Sequence, residues 1–250
     1  MIMLKRIIKP LVPARLHSAF ISWLHQPKPR RIRWGNLRRV TPVSRVFGAD
    51  RGQPIDRYYI ESFLKESAED IRGCVLEIGD PAYTLRYGGE RVTHSEVLHA
   101  QAGNDQATLV GDLATGEGIP EAKFDCMILT QTFPFIHDVG AAIQNSYKAL
   151  RPGGVLLATV SGISQISRYD MDRWGDYWRF TDASCQRLFG DVFGEEHVTI
   201  RTHGNVLSAC AFLQGLATRE LKQSALDETD PDYQMLITIR AEKDGSQANG

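Results

Sequence analysis

The sequence contains few cysteines, and their spacing matches neither a metal site nor a disulfide framework. Cys74, Cys126, Cys185 and Cys210 lie far apart and form no C-x-x-C pair. This spacing argues against zinc and against paired disulfides, so we expect no metal. Three of the four lie in apolar runs, where a free cysteine usually packs as a small core residue.

Long apolar runs are also missing from the 250 residues. No stretch approaches the roughly 18 consecutive apolar residues of a transmembrane helix. Near the start, Pro10, Pro13, Arg15 and His17 interrupt the apolar run that a signal peptide requires. We therefore expect a cytoplasmic protein.

The net charge of -1 conceals an uneven distribution of charge. Residues 1–51 contain twelve Lys or Arg and one acid, Asp50, and so carry +11, whereas the remainder carries -12. Such a split is typical of a basic segment that meets an anionic surface. The partner would be a membrane at its inner face or an acidic protein, and we expect no nucleic acid. The alternative is a segment folded onto its own acidic domain.

Composition divides the chain into three parts. Residues 1–51 form a basic extension in which apolar residues recur at roughly helical spacing in the first half. Residues 52–241 read as one folded domain, and residues 242–250 as a disordered tail.

Short apolar segments alternate with helical patterns through the central part. Strands are predicted at 74–79, 91–96, 108–112, 124–130, 155–160, 197–204 and 233–242, and helices at 55–71, 138–151 and 183–193. This alternation predicts an α/β fold with a doubly wound, mainly parallel, seven-stranded sheet and helices on both faces. In such sheets ligands bind at the carboxyl ends of the strands.

The segment after the first strand lacks a glycine-rich loop. Glu77 and Gly79 are followed by Asp80, Pro81 and Ala82, so the nicotinamide-binding fingerprint is absent. Only residues 80–90 separate the first two strands. A helix returning along a five-residue strand must cover roughly 17 Å, which takes about 11 residues. The usual first helix should therefore be reduced to a turn or two.

Acidic residues follow the second and third predicted strands. Glu96 could accept both hydroxyls of a ribose, or it could be a solvated acid at a strand end. Asp112 and the N–H of Leu113 could pair with an adenine amino group and ring nitrogen. Taken alone, Asp112 also fits an ordinary strand end.

The order of these motifs is more specific than any one of them. E-I-G-D at 77–80, Glu96, G-D-L at 111–113, F-D-x5-Q at 124–131 and L-R-P-G-G at 150–154 follow one another. Over about residues 54–240 the chain resembles the class I S-adenosylmethionine-dependent methyltransferases, in particular the ubiquinone-biosynthesis type. Residues 52–64 and 172–181 also resemble methyltransferase-domain proteins of bacterial polysaccharide clusters.

The resemblance implies S-adenosylmethionine as cofactor and assigns roles to particular residues. The implied cofactor-binding residues are Glu77, Gly79 and Asp80 on the loop, Glu96 at the ribose, Asp112 and Leu113 at the adenine, and Thr130 and Gln131 near the methyl donor. Pro81 departs from the family pattern, because it has no N–H to offer the methionine carboxylate.

The acceptor site is expected on the segment after the fifth strand, where aromatic and charged residues alternate. Aromatic faces and carboxylates suit sugar rings, although these rings could simply pack beneath a long loop. The candidate acceptor-binding residues are Tyr58, Tyr169, Asp170, Trp174, Tyr177, Trp178 and Arg179. His137 could act as a general base, or it could be a surface or capping residue.

These observations favour methyl transfer to a small-molecule or glycan-type acceptor. Two other classes stay open. One is a non-catalytic scaffold that keeps the fold and partners a glycan-assembly enzyme, which the altered loop would favour. The other is a surface-docking module led by the basic extension.

Overall fold

The computed structural model describes residues 35–245. The chain divides into two compact units, Met1–Thr41 and Pro42–Gly250. Of the first, the described part is residues 35–41, with a short 3-10 turn at Gly35–Leu37. The helical pattern predicted in the basic extension lies outside the described residues. Among those described, no helix is long and apolar enough to cross a membrane.

The second unit is built on a seven-stranded sheet. Its strands are β1 (Gly73–Ile78), β2 (Val92–His99), β3 (Leu109–Val110), β4 (Phe124–Thr130), β5 (Leu150–Ser161), β6 (Val198–His203) and β7 (Leu236–Glu242). Their order across the sheet is β3-β2-β1-β4-β5-β7-β6. β7 runs antiparallel to both of its neighbours, and the other pairings are parallel. The predicted fold class is confirmed.

Helices cover both faces of this sheet. They are α1 (Ile55–Glu66), α2 (Val139–Ala149), α3 (Arg168–Met171), α4 (Asp182–Phe193), α5 (Val206–Leu213) and α6 (Gln223–Asp227). Thr181 caps α4, since its hydroxyl accepts the N–H of Ser184 in a capping box. α5 was not predicted, because its sequence is apolar on nearly all sides and lacks a helical period.

Strand residues alternate between two apolar layers. Leu76 and Met127 face one cluster, which α2 and α4 cover, whereas Val75 and Ile128 face the other, which α1 and α5 cover. This two-sided burial explains why the central strands read as continuous apolar runs.

The connection between β1 and β2 is short, as its length predicts. A π-helical turn at Thr84–Gly88 and a 3-10 turn at Gly89–Arg91 replace the first helix. The prediction of a reduced helix is confirmed, and the shortened connection leaves the loop after β1 to be held by side chains.

Residues 42–54, here called the strap, pack with the second unit. The N–H groups of Val43 and Ser44 donate to the carbonyl of Gln214 at 2.8 and 3.1 Å. A Cβ at Gly215, where φ is +69°, would lie 2.3 Å from the carbonyl oxygen of Ser44, so only glycine allows this approach. The folded unit thus begins at Pro42 rather than at the predicted Gly52.

The predicted tail also begins too early. Glu242 is the last residue of β7, and Lys243 is buried, with its ammonium donating to the carbonyls of Tyr147 and Leu150 at 2.9 and 2.7 Å. A single lysine amid polar residues gave no sequence signal of these contacts. Residues 246–250 lie outside the described part of the chain.

Glu220 anchors the strap, and this contact should depend on pH. Arg51 of the strap donates to its carboxylate, as does the N–H of Ala217, and these bonds lower the pKa of Glu220 to about 2. A carboxyl group whose pKa is lower in the folded state stabilises the fold at any pH above its pKa in the unfolded chain. This contribution is lost as pH falls through its pKa in the folded protein.

We expect Glu220→Gln to lower the free energy of unfolding at pH 7 by at most about 1 kcal/mol, as is usual for an accessible ion pair. The difference from the wild type should shrink as pH falls from about 4.5 towards 2. Urea unfolding of both proteins at several pH values measures it. A difference that stays constant with pH would contradict the assignment.

Candidate active site

A cleft of about 840 Å³ opens at the carboxyl edge of the sheet. β2 and β3 lie on one side of β1, and β4 and β5 on the other, so the strand order reverses there, where ligands of open α/β sheets bind. The strap and residues 164–179 form its outer walls. Its polar and aromatic lining includes Asp56, Arg57, Gly79, His99, Asp112, Gln131, His137, Tyr169, Asp170, Arg173, Trp174, Tyr177 and Arg179.

Glu77 holds the loop after β1. Its buried carboxylate accepts the N–H of Tyr83 at 3.1 Å and both the N–H and the hydroxyl of Thr84 at 2.7 Å. Burial raises the pKa of Glu77, and these hydrogen bonds oppose the rise. Glu77 was predicted to bind cofactor, but it does not line the cleft and instead fixes the loop.

The loop's own amides are all used within the protein. Gly79 donates to the carbonyl of Leu98, and Asp80 to that of Ile78. The N–H groups of residues 82–85 also have protein acceptors, and Pro81 has none to donate. Gly79 lines the cleft with φ at +83°, and an added Cβ would meet open space. Asp80 lies outside the lining, because its carboxylate caps Ala82.

Glu96 is not at the end of its strand. β2 continues to His99, and Glu96 pairs with Leu76 in the middle of the sheet. Its carboxylate accepts the Lys123 ammonium and the Thr108 hydroxyl, and these bonds lower its pKa. Since it also lies outside the cleft lining, the prediction of a ribose-binding role for Glu96 is wrong.

His99 occupies the position that Glu96 was expected to fill. It ends β2 and lines the cleft, and its Nδ1 lies 2.7 Å from the carbonyl oxygen of Gln101. Its ring meets that of Trp174 edge to face at 5.9 Å. The apolar residues Val97 and Leu98 were the signal that the strand continues beyond Glu96.

Asp112 and Leu113 lie where the sequence predicts, just beyond β3. Asp112 is exposed and lines the cleft, with one carboxylate oxygen accepting the N–H of Ala114 at 2.7 Å. Within the described residues its other oxygen and the N–H of Leu113 have no protein partner. A carboxylate oxygen beside a free amide can receive a ligand that both donates and accepts.

Thr130 and Gln131 also line the cleft, at the end of β4. Gln131 has φ at +50°, an uncommon conformation for a residue with a side chain. Its backbone N–H donates to the carbonyl of Thr159, and its amide oxygen accepts the Ser161 hydroxyl at 2.7 Å. These contacts hold the Gln131 side chain in one orientation at the cleft.

The segment after β5 forms an aromatic wall of the cleft. Tyr169, Asp170, Trp174 and Tyr177 line the cleft. His137 faces the same space and meets the Tyr177 ring edge to face at 5.2 Å. An exposed imidazole beside this aromatic wall can accept a proton.

Two predicted acceptor residues have structural roles instead. Arg179 forms a two-pronged ion pair with Asp176, whose side chain is 1% exposed, and also donates to the carbonyls of Gln165 and Trp178. Most of its donors are therefore committed, although it borders the cleft. Trp178 lies outside the lining and donates its indole N–H to the carbonyls of Ile136 and His137.

Tyr58 lies away from the cleft, contrary to the prediction. Its hydroxyl donates to Asp227 of α6, and it is absent from the lining. Its neighbours Asp56 and Arg57 line the cleft instead, and both were missed by the sequence reasoning. Tyr59 is buried in the core, and the apolar period of α1 does not indicate which of the neighbouring residues line the cleft.

Comparisons with known proteins agree with this architecture. The family model described as "Methyltransferase domain" matches residues 83–158. A search of curated proteins found no significant match. Within the described residues no group of three or more His, Cys, Asp or Glu is placed to hold a metal.

Several solved structures are similar to the chain. Phosphoethanolamine N-methyltransferase 2 of Haemonchus contortus, in complex with S-adenosyl-L-methionine, has a TM-score of 0.51 at 13% identity, over 84% of this chain and 55% of that one. A SAM-dependent methyltransferase from Archaeoglobus fulgidus has 0.49 at 12%, over 75% and 94%. The N-methyltransferase NodS from Bradyrhizobium japonicum WM9 has 0.47 at 15%, over 77% and 98%.

The sheet order and the first of these similarities agree on one architecture. The chain therefore has the class I methyltransferase fold, with a methyltransferase domain matched over residues 83–158.

Proposed function

We propose that the chain is an S-adenosylmethionine-dependent methyltransferase that acts on a small-molecule or glycan-type acceptor. The observation that carries the proposal is the composition of the cleft. Its inner end offers the exposed Asp112 carboxylate beside the N–H of Leu113, which has no acceptor among the described residues, and its outer wall is aromatic. One end thus suits a nucleoside, and the other a polar acceptor with apolar faces.

The inner residues fit the adenosine part of the cofactor. Asp112 would accept the adenine amino group, and the Leu113 N–H would donate to a ring nitrogen. His99, at the end of β2, would hydrogen-bond the ribose in place of the usual acid. When bound, S-adenosylmethionine supplies a methyl group whose carbon is already electrophilic, because it is attached to a positively charged sulfur.

The chain's own task is then to position the acceptor and keep water away. Alignment alone contributes much of the rate of such a transfer. His137 would take the proton from the acceptor atom. Gln131, held by Ser161, would help to orient the acceptor.

The outer wall supports a glycan-type acceptor. Trp174 and Tyr177 offer ring faces, and Asp170 offers a carboxylate that the Ser167 hydroxyl holds at 2.5 Å. Rings that stack on the apolar face of a sugar and carboxylates that accept its hydroxyls are a common combination. A role in polysaccharide assembly, with the basic extension on a membrane or an acidic partner, belongs to the same proposal.

A second candidate function rests on the loop after β1. Its amides are all bonded within the protein, so this loop offers no donor to a cofactor carboxylate. A methyltransferase-fold scaffold that lacks catalysis would have such a loop.

Calorimetric titration distinguishes the two candidates. We expect binding of S-adenosylmethionine and of its demethylated product, and transfer of a labelled methyl group to a member of a panel of saccharides and small hydroxylated acceptors. A protein that binds neither ligand at millimolar concentration would be the scaffold. Binding without transfer to any acceptor class would leave the donor site and refute the proposed acceptors.

A further inference from the structure

The amino-acid end of the cofactor needs binding groups that the loop after β1 lacks. This end carries an ammonium and a carboxylate. Each N–H between Gly79 and Leu85 donates within the protein, and Pro81 has none. Moving these donors would break the contacts of the buried Glu77. The groups that hold this end must therefore lie elsewhere in the cleft.

Asp56 and Arg57 are two oppositely charged side chains in the first turn of α1, and both line the same cleft as Gly79. Within the described residues neither forms an ion pair. Asp56 accepts the backbone N–H of Arg57 at 2.8 Å through one oxygen. A carboxylate and a guanidinium that are adjacent yet not bridged present separate charges to the cleft.

Tyr83 orients the Arg57 guanidinium. The Tyr83 hydroxyl oxygen accepts a hydrogen bond from one Arg57 N–H at 2.7 Å, and the guanidinium lies 5.9 Å from the centre of the Tyr83 ring. The remaining N–H groups of the fork have no acceptor among the described residues. A planar fork with free donors matches a carboxylate through two parallel hydrogen bonds.

We infer that Asp56 and Arg57 hold the amino-acid end of the cofactor, with Arg57 on its carboxylate and Asp56 on its ammonium. This inference rests on the proposed function and moves the methionine site from the loop to α1. Burial raises the pKa of Asp56, because its ionised form is poorly solvated in the cleft. A bound ammonium compensates for that lost solvation, which favours a zwitterionic ligand over a neutral one.

Two ligands that differ only at this end test the inference by calorimetry. S-Adenosylhomocysteine contains the amino-acid group, and 5′-deoxy-5′-methylthioadenosine has the same nucleoside thioether without it. We expect the wild type to prefer the first by about tenfold to a hundredfold, the usual value of a charged hydrogen bond. Arg57→Gln should remove most of this preference and leave the affinity for methylthioadenosine unchanged.

Three further measurements sharpen the test. Decarboxylated S-adenosylmethionine keeps the ammonium but has no carboxylate. Its affinity should not change in Arg57→Gln, whereas Asp56→Asn should lower it. Arg86→Gln is the matched control, because Arg86 pairs with Glu61 and stacks on Tyr87 outside the cleft. It should leave all the affinities unchanged. Methylthioadenosine binding by each variant also reports that its cleft is folded.

The outcomes separate the inference from the proposed function. Equal wild-type affinity for the two ligands, or an equal loss of both in Arg57→Gln, would overturn the role of α1 and leave the methyltransferase proposal standing. No binding of either ligand to the wild type would overturn both.

Discussion

Glu77→Ala should lower the free energy of unfolding by roughly 3–5 kcal/mol, the range typical of a lost buried polar network. The Glu77 side chain is the acceptor for three donors of Tyr83 and Thr84. Glu77 and Thr84 are 4% and 0% exposed, so water would not replace the lost acceptor without opening the loop. Each unsatisfied buried donor costs about 1–3 kcal/mol.

Denaturant unfolding followed by circular dichroism measures this effect. Glu77→Gln keeps one acceptor oxygen and should lose less stability than the alanine variant. Glu61→Ala is a matched control, because Glu61 is partly exposed, pairs with the exposed Arg86 and should cost under about 1 kcal/mol. A loss below about 1 kcal/mol for Glu77→Ala would mean that the loop does not depend on this carboxylate.

Glu77 accepts the amides of Tyr83 and Thr84 at the start of the short turn between β1 and β2. The first N–H groups of a helical segment have no acceptor within it, so a side chain such as Glu77 has to supply one. Sequence length predicted the missing helix. It could not predict that the acid at the end of β1 turns back to accept the loop's amides rather than pointing at a ligand.

Much of the fold follows from the sequence because burial on both sides gives an unambiguous signal. β4 lies where its apolar pattern predicts, and α1 begins at the predicted Ile55, although it ends at Glu66 rather than at residue 71. Local pattern determines such elements, since each residue's burial depends on the period of its own segment.

The end of a strand depends partly on its partner strand, so the apolar Val97 and Leu98 indicate that β2 continues beyond Glu96 but not where it ends. β2 extends to His99 because its residues pair with β1 up to Ile78 opposite Leu98. That register places His99, and not Glu96, beside Gly79. The same reason explains why Arg57 was missed, because the side of α1 that meets the cleft is set by where α1 packs on the sheet.

Because Glu96 lies within β2 rather than at its end, substitutions of Glu96 and Asp112 together test where the methyl donor binds. Asp112 lines the cleft with a free oxygen, whereas Glu96 is joined to Lys123 and Thr108 outside it. The resemblance to methyltransferases gave both residues a role at the nucleoside. Of the two, only Asp112 lines the cleft.

Asp112→Ala should therefore weaken S-adenosylhomocysteine and methylthioadenosine alike, by about tenfold to a hundredfold, because both ligands contain adenine. Glu96→Ala should change neither affinity by more than about twofold, although it breaks an ion pair and can lower stability by up to about 1 kcal/mol. Calorimetry with both ligands on both variants, alongside thermal unfolding, measures these effects.

Asp112→Asn separates charge from shape, since its amide oxygen still accepts a hydrogen bond, and it should lose less affinity than the alanine variant. If Glu96→Ala weakened binding as much as Asp112→Ala, the placement of the nucleoside beyond β3 would be refuted, and the ligand would have to reach the middle of β2. If Asp112→Ala reduced only the affinity for S-adenosylhomocysteine, Asp112 would act on the amino-acid end, and the assignment of that end to α1 would fail with it.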